Sequence, residues 1–395
     1  MSFPRVIPNA PAAALIGGGF IGPVHAEALR RIGVPIVGLL GSSPERAATT
    51  ARALGIATIY RDLDELLGDS RALVVHIASP NTHHFEQARR VLESGRHVVC
   101  EKPLATSSSE TKALQALAQS RPDQAAAVNY NVRYYPLCHE IRDRVVSGSL
   151  GRVLSVTGSY VQDWLLYPED FNWRVVADDA TNLRAAADIG THWMDLAQFL
   201  TGTKIQSVVA DLATFHSRRY QSTAGNETFS LAGASGHTPE RIPVDITTDD
   251  HAAVLLRFDG GAHGSFHVSQ VTAGRKNRLT VEIAATEGSI AWDSESPNQL
   301  WIGSRKGPNQ VLERDSALLG ALAGSICHYP GGHSEGFPDT FKQLYLDIYT
   351  WITVGRERGD KPGFPSFADG DYELRLCEAI ATSAKSGAWT KVVEV

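Results

Sequence analysis

Three stretches of the 395-residue sequence carry residues whose types and spacing suit chemistry. The first is LIGGGFIGPVH, residues 15–25, in which Gly17, Gly19 and Gly22 satisfy GxGxxG. In that pattern the first glycine allows a tight turn, the second lets the backbone approach a pyrophosphate, and the third lets helix and strand pack closely. An apolar strand precedes it and a helix opens at Phe20 and Ile21. The pyrophosphate would lie on that helix N-terminus, where free N–H groups and the dipole favour anions. A plain glycine-rich turn is the alternative, and the strand–turn–helix setting favours the cofactor site.

The second stretch, HVVCEKPLA at residues 97–105, runs a buried strand into Glu101, Lys102 and Pro103. Open α/β sheets bind ligands beyond the carboxyl ends of their strands. Lys102 then stands where a nicotinamide would lie, or is a surface lysine of a βα loop. The third, AAADIGTHWMDLAQFLTG at residues 185–202, sets Asp188 and His192 four apart, on one helical face. A carboxylate can orient an imidazole and stabilise its charged form, as a general base requires. Alternatively, Asp188 is a helix cap or dipole partner and His192 is packed.

These residues need elements to position them. Up to about residue 130, apolar runs alternate with helical spacing: strands at 12–16, 35–40, 73–77, 97–100 and 125–128, and helices between them. That alternation predicts a doubly wound parallel sheet, a Rossmann domain over 1–130. From 131 to 395 the texture changes. Strand-like runs at 153–161, 207–215, 252–258, 264–270, 279–284 and 289–292 are grouped among helices at 135–146, 189–200, 339–354 and 369–386. This predicts an α+β domain with a large, mostly antiparallel sheet. Residues 217–248, rich in Gly, Ser and Thr, read as a long loop.

With 43% apolar and 20% charged residues, the composition is that of a folded globular protein. A net charge of −6 without a basic block argues against nucleic-acid binding and a polybasic membrane anchor. No apolar run is long enough to span a membrane. The N-terminus lacks the pattern of a signal peptide. Cys100, Cys138, Cys327 and Cys377 form no CxxC pair, so no structural zinc site is read, and a reduced cytoplasmic protein is expected.

Twenty residues past Gly22, where NAD-specific folds place an acidic residue, stands Ser42. Ser42 and Ser43 can donate to phosphate oxygens, and Arg46 can add a charge-assisted contact. Otherwise the serines cap the helix at Pro44. The reading leans to NADP or dual use over strict NAD.

The sequence resembles the glucose–fructose oxidoreductase/inositol dehydrogenase/rhizopine-catabolism (Gfo/Idh/MocA) family. The resemblance runs through GGGFIG, ASPNTHH, CEKPLA, NYNVRYYP, ADIGTHWMDL, DDHAAVLLRFDGGAHGSF and ATEGSI. QDWLL with FNWR is similar to a branch of levoglucosan and glucoside dehydrogenases. The resemblance implies hydride transfer between a sugar or cyclic polyol carbinol and NAD(P). It implies Lys102, Asp188 and His192 as the catalytic set. His192 would be the base oriented by Asp188, with Lys102 stabilising the alkoxide or itself the base. Ala78, Pro80, Asn81 and His84 match the family's cofactor loop after the fourth strand, and Glu101 and Lys102 are further candidate cofactor contacts. Asn131, Arg133, Trp164, Asn172, Trp173 and His333 are candidate substrate contacts, with Glu335 beside them. A homodimer or homotetramer through the second-domain sheet is implied. Redox-neutral glycoside hydrolysis by transient sugar oxidation uses the same residues. A non-catalytic NAD(P)-sensing regulator would not need all three.

Overall fold

In the computed structural model, which describes residues 6–176, 181–223, 240–355, 359 and 362–393, the first apolar run becomes β1 (Ala13–Ile16), buried at every position. It lies in a parallel sheet with β2 (Ile36–Leu40), β3 (Ile59–Tyr60), β4 (Val74–Ile77), β5 (His97–Cys100) and β6 (Ala126–Val128), in the order β3-β2-β1-β4-β5-β6. This is the doubly wound dinucleotide-binding order. The intervening helices are α1 (Ile21–Arg31), α2 (Pro44–Ala53), α3 (Leu63–Gly68), α4 (His84–Glu93) and α5 (Ser108–Gln119). Alternate residues of β1 enter different cores. Ala13 and Leu15 join Ala26, Leu29, Leu344 and Ile348, whereas Ala14 and Ile16 join Leu66, Val91 and Leu114. Burial on both faces is why the strand is a continuous apolar run. No sequence signal announces β3, whose two residues show no period, or α3, which Asp62 caps by accepting from Glu65 N–H at 2.8 Å.

The first compact unit joins Met1–Glu140 to Arg314–Leu374, and the second joins Ile141–Glu313 to Arg375–Val395. α6 (Pro136–Val146) spans the change from one unit to the other at Glu140–Ile141. In the second unit, β7 (Val153–Val161) and β8 (Ile205–Ala213) enter a nine-stranded sheet with β11 (His251–Phe258), β12 (His263–Ser269), β13 (Arg278–Ala285), β14 (Ser289–Asp293), β15 (Gln299–Gly303), β16 (Gln310–Glu313) and β17 (Thr390–Lys391). The order is β16-β15-β14-β13-β7-β12-β11-β8-β17. Only the β7–β12 pair is parallel, so the sheet is mostly antiparallel, as expected.

The reading of 217–248 as a loop is corrected. β9 (Arg218–Ser222) and β10 (Arg241–Asp245) pair antiparallel in a separate two-stranded sheet; residues 224–239 lie outside the described residues. These strands escaped notice because RRYQS is mostly polar on both faces and Pro243 interrupts RIPVD. A buried guanidinium, that of Arg219, secures them instead: it donates to the carbonyls of Leu165, Tyr167 and Asp170 and to Asp250. The helix expected at 189–200 is also more complex. A π-turn, Ala186–Gly190, leads into α7 (Thr191–Thr201).

α8 (Ala321–Ile326), α9 (Phe337–Thr350) and α10 (Phe367–Ser386) follow later in the chain. α9 belongs to the first unit because Phe341, Leu344, Tyr345 and Ile348 pack in the core beside β1 and α1. No helix among the described residues is long and apolar enough to cross a membrane.

Candidate active site

The glycine loop after β1 is fixed by sterics. Gly17 has φ 102°, and a Cβ on it would stand 2.4 Å from the Ala78 carbonyl oxygen. A Cβ on Gly22 would stand 2.2 Å from the Gly17 oxygen. Gly19 differs: a Cβ there would meet nothing within 4 Å. Phe20 is exposed, and no side chain caps α1 among the described residues. An open backbone beside an uncapped helix N-terminus is a cradle for a pyrophosphate, so the residues present fit a dinucleotide. At the end of β2, the Ser43 hydroxyl accepts from Arg46 N–H at 3.3 Å and caps α2, with Pro44 in the first turn. Ser42 and the Arg46 side chain are exposed.

β5 delivers Glu101 and Lys102 at its carboxyl end. Glu101 Oε1 accepts from His25 Nε2 at 2.9 Å and from the Asn129 amide, and Oε2 accepts from Lys102 N–H at 3.2 Å. Burial pushes the Glu101 carboxyl up, but His25, Lys102 and Asn129 outweigh it and hold it below the ordinary value. His84 is buried, with Nδ1 2.8 Å from the Pro103 carbonyl and Nε2 2.9 Å from that of Ser79. It braces the loops ending β4 and β5 against each other. Burial lowers its pKa against the pull of those carbonyls. Asn81 Oδ1 accepts from Thr82 N–H at 3.1 Å, and Pro80 is exposed.

In the second unit, Asp188 lies within the π-turn and His192 in the first turn of α7. π-turns inside helices recur at functional sites. The Asp249 carboxylate sets the turn's start, accepting from Arg184 N–H at 2.5 Å and Ala186 N–H at 2.9 Å. Burial raises the Asp249 pKa, opposed by those bonds. Asp188 Oδ2 accepts from Gln270 Nε2 at 2.9 Å, and Arg174 Nε lies 3.7 Å from Oδ1. The Trp164 indole donates to Gln162 Oε1 at 2.8 Å, and Gln270 Nε2 is 3.5 Å from the same oxygen. The Tyr160 ring lies 6.1 Å from that of His192. Burial, then the charge of Asp188, raises the Tyr160 pKa. The structure thus gathers Asp188, His192, Trp164 and the FNWR segment within one unit.

Asn131 donates to Thr340 at 2.7 Å and Arg133 to Asp369 at 3.0 Å, both inside the first unit. Asn172 is buried and accepts from Arg174 N–H at 3.1 Å. The Arg174 guanidinium sits 4.4 Å over the Trp173 ring, which is 40% exposed. His333 is exposed, with Nδ1 3.4 Å from the Gly331 carbonyl. Glu335 is buried in an ion pair with Arg314 at 2.9 Å and accepts from His328 and Tyr329 N–H.

Sequence reasoning did not single out Gln270, Arg174, Gln162 or Tyr160 around Asp188 and His192, nor His25, His76 and Asn129 around Glu101. Arg174 and Gln162 lie in quoted motifs, and His25 ends the glycine-loop stretch. Gln270 had only its place just past the end of β12 as a signal.

Two family descriptions match the chain. Residues 12–130 match the oxidoreductase family with NAD-binding Rossmann fold, and residues 138–291 match the GFO/IDH/MocA C-terminal domain. A levoglucosan dehydrogenase of Pseudarthrobacter phenanthrenivorans is 30% identical over 397 residues, spanning 96% of this chain and 98% of its own. The structure of levoglucosan dehydrogenase in complex with NADH and levoglucosan superposes with TM-score 0.84 at 28% identity, over 97% of this chain and 99% of that one. An inositol dehydrogenase homologue from Azotobacter vinelandii, complexed with NADH and myo-inositol, gives 0.84 at 25% identity, over 99% and 100%. The open Gly19 cradle, Lys102 at the end of β5 and the Asp188–His192 turn therefore belong to a member of the GFO/IDH/MocA family of NAD-binding oxidoreductases.

Proposed function

We propose that the chain oxidises a CH–OH carbon of a sugar or cyclic polyol, with NAD(P) as hydride acceptor. The observation that carries this reading is Asp188, pinned by Gln270 one turn before His192. His192 removes the hydroxyl proton, and Asp188 orients its ring and stabilises the imidazolium. Lys102 stabilises the alkoxide charge that develops as the hydride leaves; Lys102 as the base is the alternative division of the same work. The nicotinamide, when bound, supplies the electrophilic carbon. Residues 1–130 bind the cofactor, with Gly17, Gly19, Phe20, Ile21 and Gly22 at the pyrophosphate and Ala78, Pro80, Asn81 and His84 in the adjoining loop. Residues 131–395 select the substrate through Asn131, Arg133, Trp164, Asn172, Trp173 and His333. Trp173, stacked under Arg174, offers an apolar face of the kind sugar rings pack on.

The strand end at Ser42 carries no carboxylate, so the reading admits NADP or both cofactors. Subunits pair through the large sheet, where β11 buries Val254 and Leu256 but leaves Leu255 51% exposed. A cytoplasmic location keeps the four free cysteines reduced.

The test is a panel of sugars and polyols, levoglucosan and myo-inositol included, assayed at 340 nm with NAD and NADP. Lys102→Ala and His192→Ala should each lower kcat by about 10²–10⁴-fold while cofactor still binds. Folded His192→Ala with near-normal kcat removes the base assignment. Glycoside cleavage without net NAD(P)H would replace the dehydrogenase reading by the hydrolytic one.

A further inference from the structure

We propose that His25 and Glu101 form a buried positioning pair that holds Lys102 for its step, with His76 and Tyr349 keeping the His25 ring in register; the inference rests on Lys102 acting in the reaction. Both oxygens of Glu101 are engaged. One takes both the His25 imidazole and the Asn129 amide, and the other takes the backbone N–H of Lys102. The donors come from α1, from the segment after β6 and from the loop itself, so the carboxylate plane is fixed on three sides. The Lys102 backbone is fixed with it.

Behind His25 the hydrogen bonds continue. His25 Nδ1 is 3.1 Å from His76 Nδ1, and His76 Nε2 is 3.1 Å from the Tyr349 hydroxyl. Burial, with His25 beside it, holds His76 well below the ordinary histidine value, so its ring is neutral. With both rings neutral, Tyr349 O–H donates to His76, His76 Nδ1–H donates to His25, and His25 Nε2–H donates to Glu101. Protonating His25 reverses the first two bonds and leaves the third unchanged. Either way an N–H points at Glu101. Ring rotation is blocked by Tyr345, 5.3 Å from His25 and 4.8 Å from His76, and by Phe341, 6.0 Å from His25.

Such a cluster is poorly suited to stability alone, because buried polar groups rarely outperform apolar residues of equal volume. Its geometry suits precision. His25 lies on α1, the helix that begins at the glycine loop, so the pair ties the Lys102 backbone to the helix that receives the pyrophosphate. A catalytic group displaced by 1 Å can lose about a hundredfold in rate.

The test uses the full chain with Glu101→Gln, His25→Leu and His25→Gln, the last keeping a donor near the place of Nε2. Measured are kcat, sugar KM, NAD affinity, and the acetylation of Lys102 relative to exposed Lys112 in the same chain, traced by mass spectrometry. Glu101→Gln and His25→Leu should lower kcat about tenfold to a hundredfold, with KM and NAD affinity within about threefold of wild type. The labelling ratio should change in both variants, and His25→Gln should recover most of the rate. Unchanged kcat, a rate loss matched by lost NAD affinity, an unchanged labelling ratio or failure of His25→Gln to rescue would each overturn the inference. If His25→Leu does not fold, the rates and labelling of Glu101→Gln decide. Lys102→Ala separates the two readings. If it keeps kcat, the role of Lys102 fails; if it loses kcat while Glu101→Gln does not, the positioning pair alone fails.

Discussion

Gly17 and Gly19 sit two residues apart in one loop, yet alanine should act on them by opposite routes. At Gly17 the backbone has φ 102°, and a Cβ would stand 2.4 Å from the Ala78 oxygen and 2.7 Å from Ser79 N. A non-glycine residue in such a conformation costs about 1–3 kcal/mol, and the clash adds to it because backbone atoms cannot swing away. Gly17→Ala should therefore destabilise by at least about 2 kcal/mol, at roughly 2–4 °C of Tm per kcal/mol in a unit of this size. At Gly19 the backbone is not in the positive-φ region and a Cβ meets nothing within 4 Å. Gly19→Ala should leave Tm within about 2 °C, or raise it slightly by restricting the unfolded chain. If the pyrophosphate lies against Gly19, the added methyl excludes it, and NAD affinity should fall at least about tenfold, or 1.4 kcal/mol. Thermal melts give the first quantity and calorimetric NAD titration the second. A folded Gly19→Ala protein with wild-type NAD affinity would refute the placement of the pyrophosphate. An unchanged Tm for Gly17→Ala would refute the steric argument for the loop.

Cofactor choice should respond to Arg46, exposed in the first turn of α2. Arg46→Ala should weaken NADP more than NAD in parallel titrations, and tight NAD binding with negligible NADP affinity, unaltered by the substitution, would show that the chain is NAD-specific. A separate expectation concerns Lys342, buried in α9 with Nζ 2.6 Å from His328 Nδ1. Burial, then the charge of Arg31, pulls its pKa from 10.5 down to about 8, against Asp339 and Glu335. The unfolded chain then binds the extra proton between pH 8 and 10.5, so this group's contribution to stability rises with pH across that window. Lys342→Met should raise Tm relative to wild type at pH 7, and the gap should close toward pH 10; a gap independent of pH would contradict the assignment.

The parallel sheet was legible because its strands are buried on both faces, which leaves continuous apolar runs between helices of regular spacing. Strand β5 matches its sequence reading residue for residue. What escaped had no periodic signature: the two residues of β3, and the hairpin of β9 and β10, held by one buried arginine. The helix at 189–200 was legible, but its π-turn was not. That turn depends on Asp249, a residue about sixty positions away that caps its start. Likewise α9 has a clear helical pattern, yet nothing local announces that Phe341 and Ile348 pack in the first unit's core.

The same division holds in the site. The residues proposed to do chemistry are visible because chemistry restricts type and spacing: glycines where a phosphate would approach, a lysine at a strand end, a carboxylate one turn before an imidazole. Residues that hold them are restricted only in space. Gln270 meets Asp188 across 82 positions, and His25 meets Glu101 across 76. Neither pairing leaves a spacing rule behind. Fixing a carboxylate requires donors that cannot rotate away, and those come from packed elements: Gln270 is fully buried just past β12, and His25 lies deep on α1. A motif therefore locates the reacting atoms, while the precision on which their rate depends is set by residues that only the folded chain brings beside them.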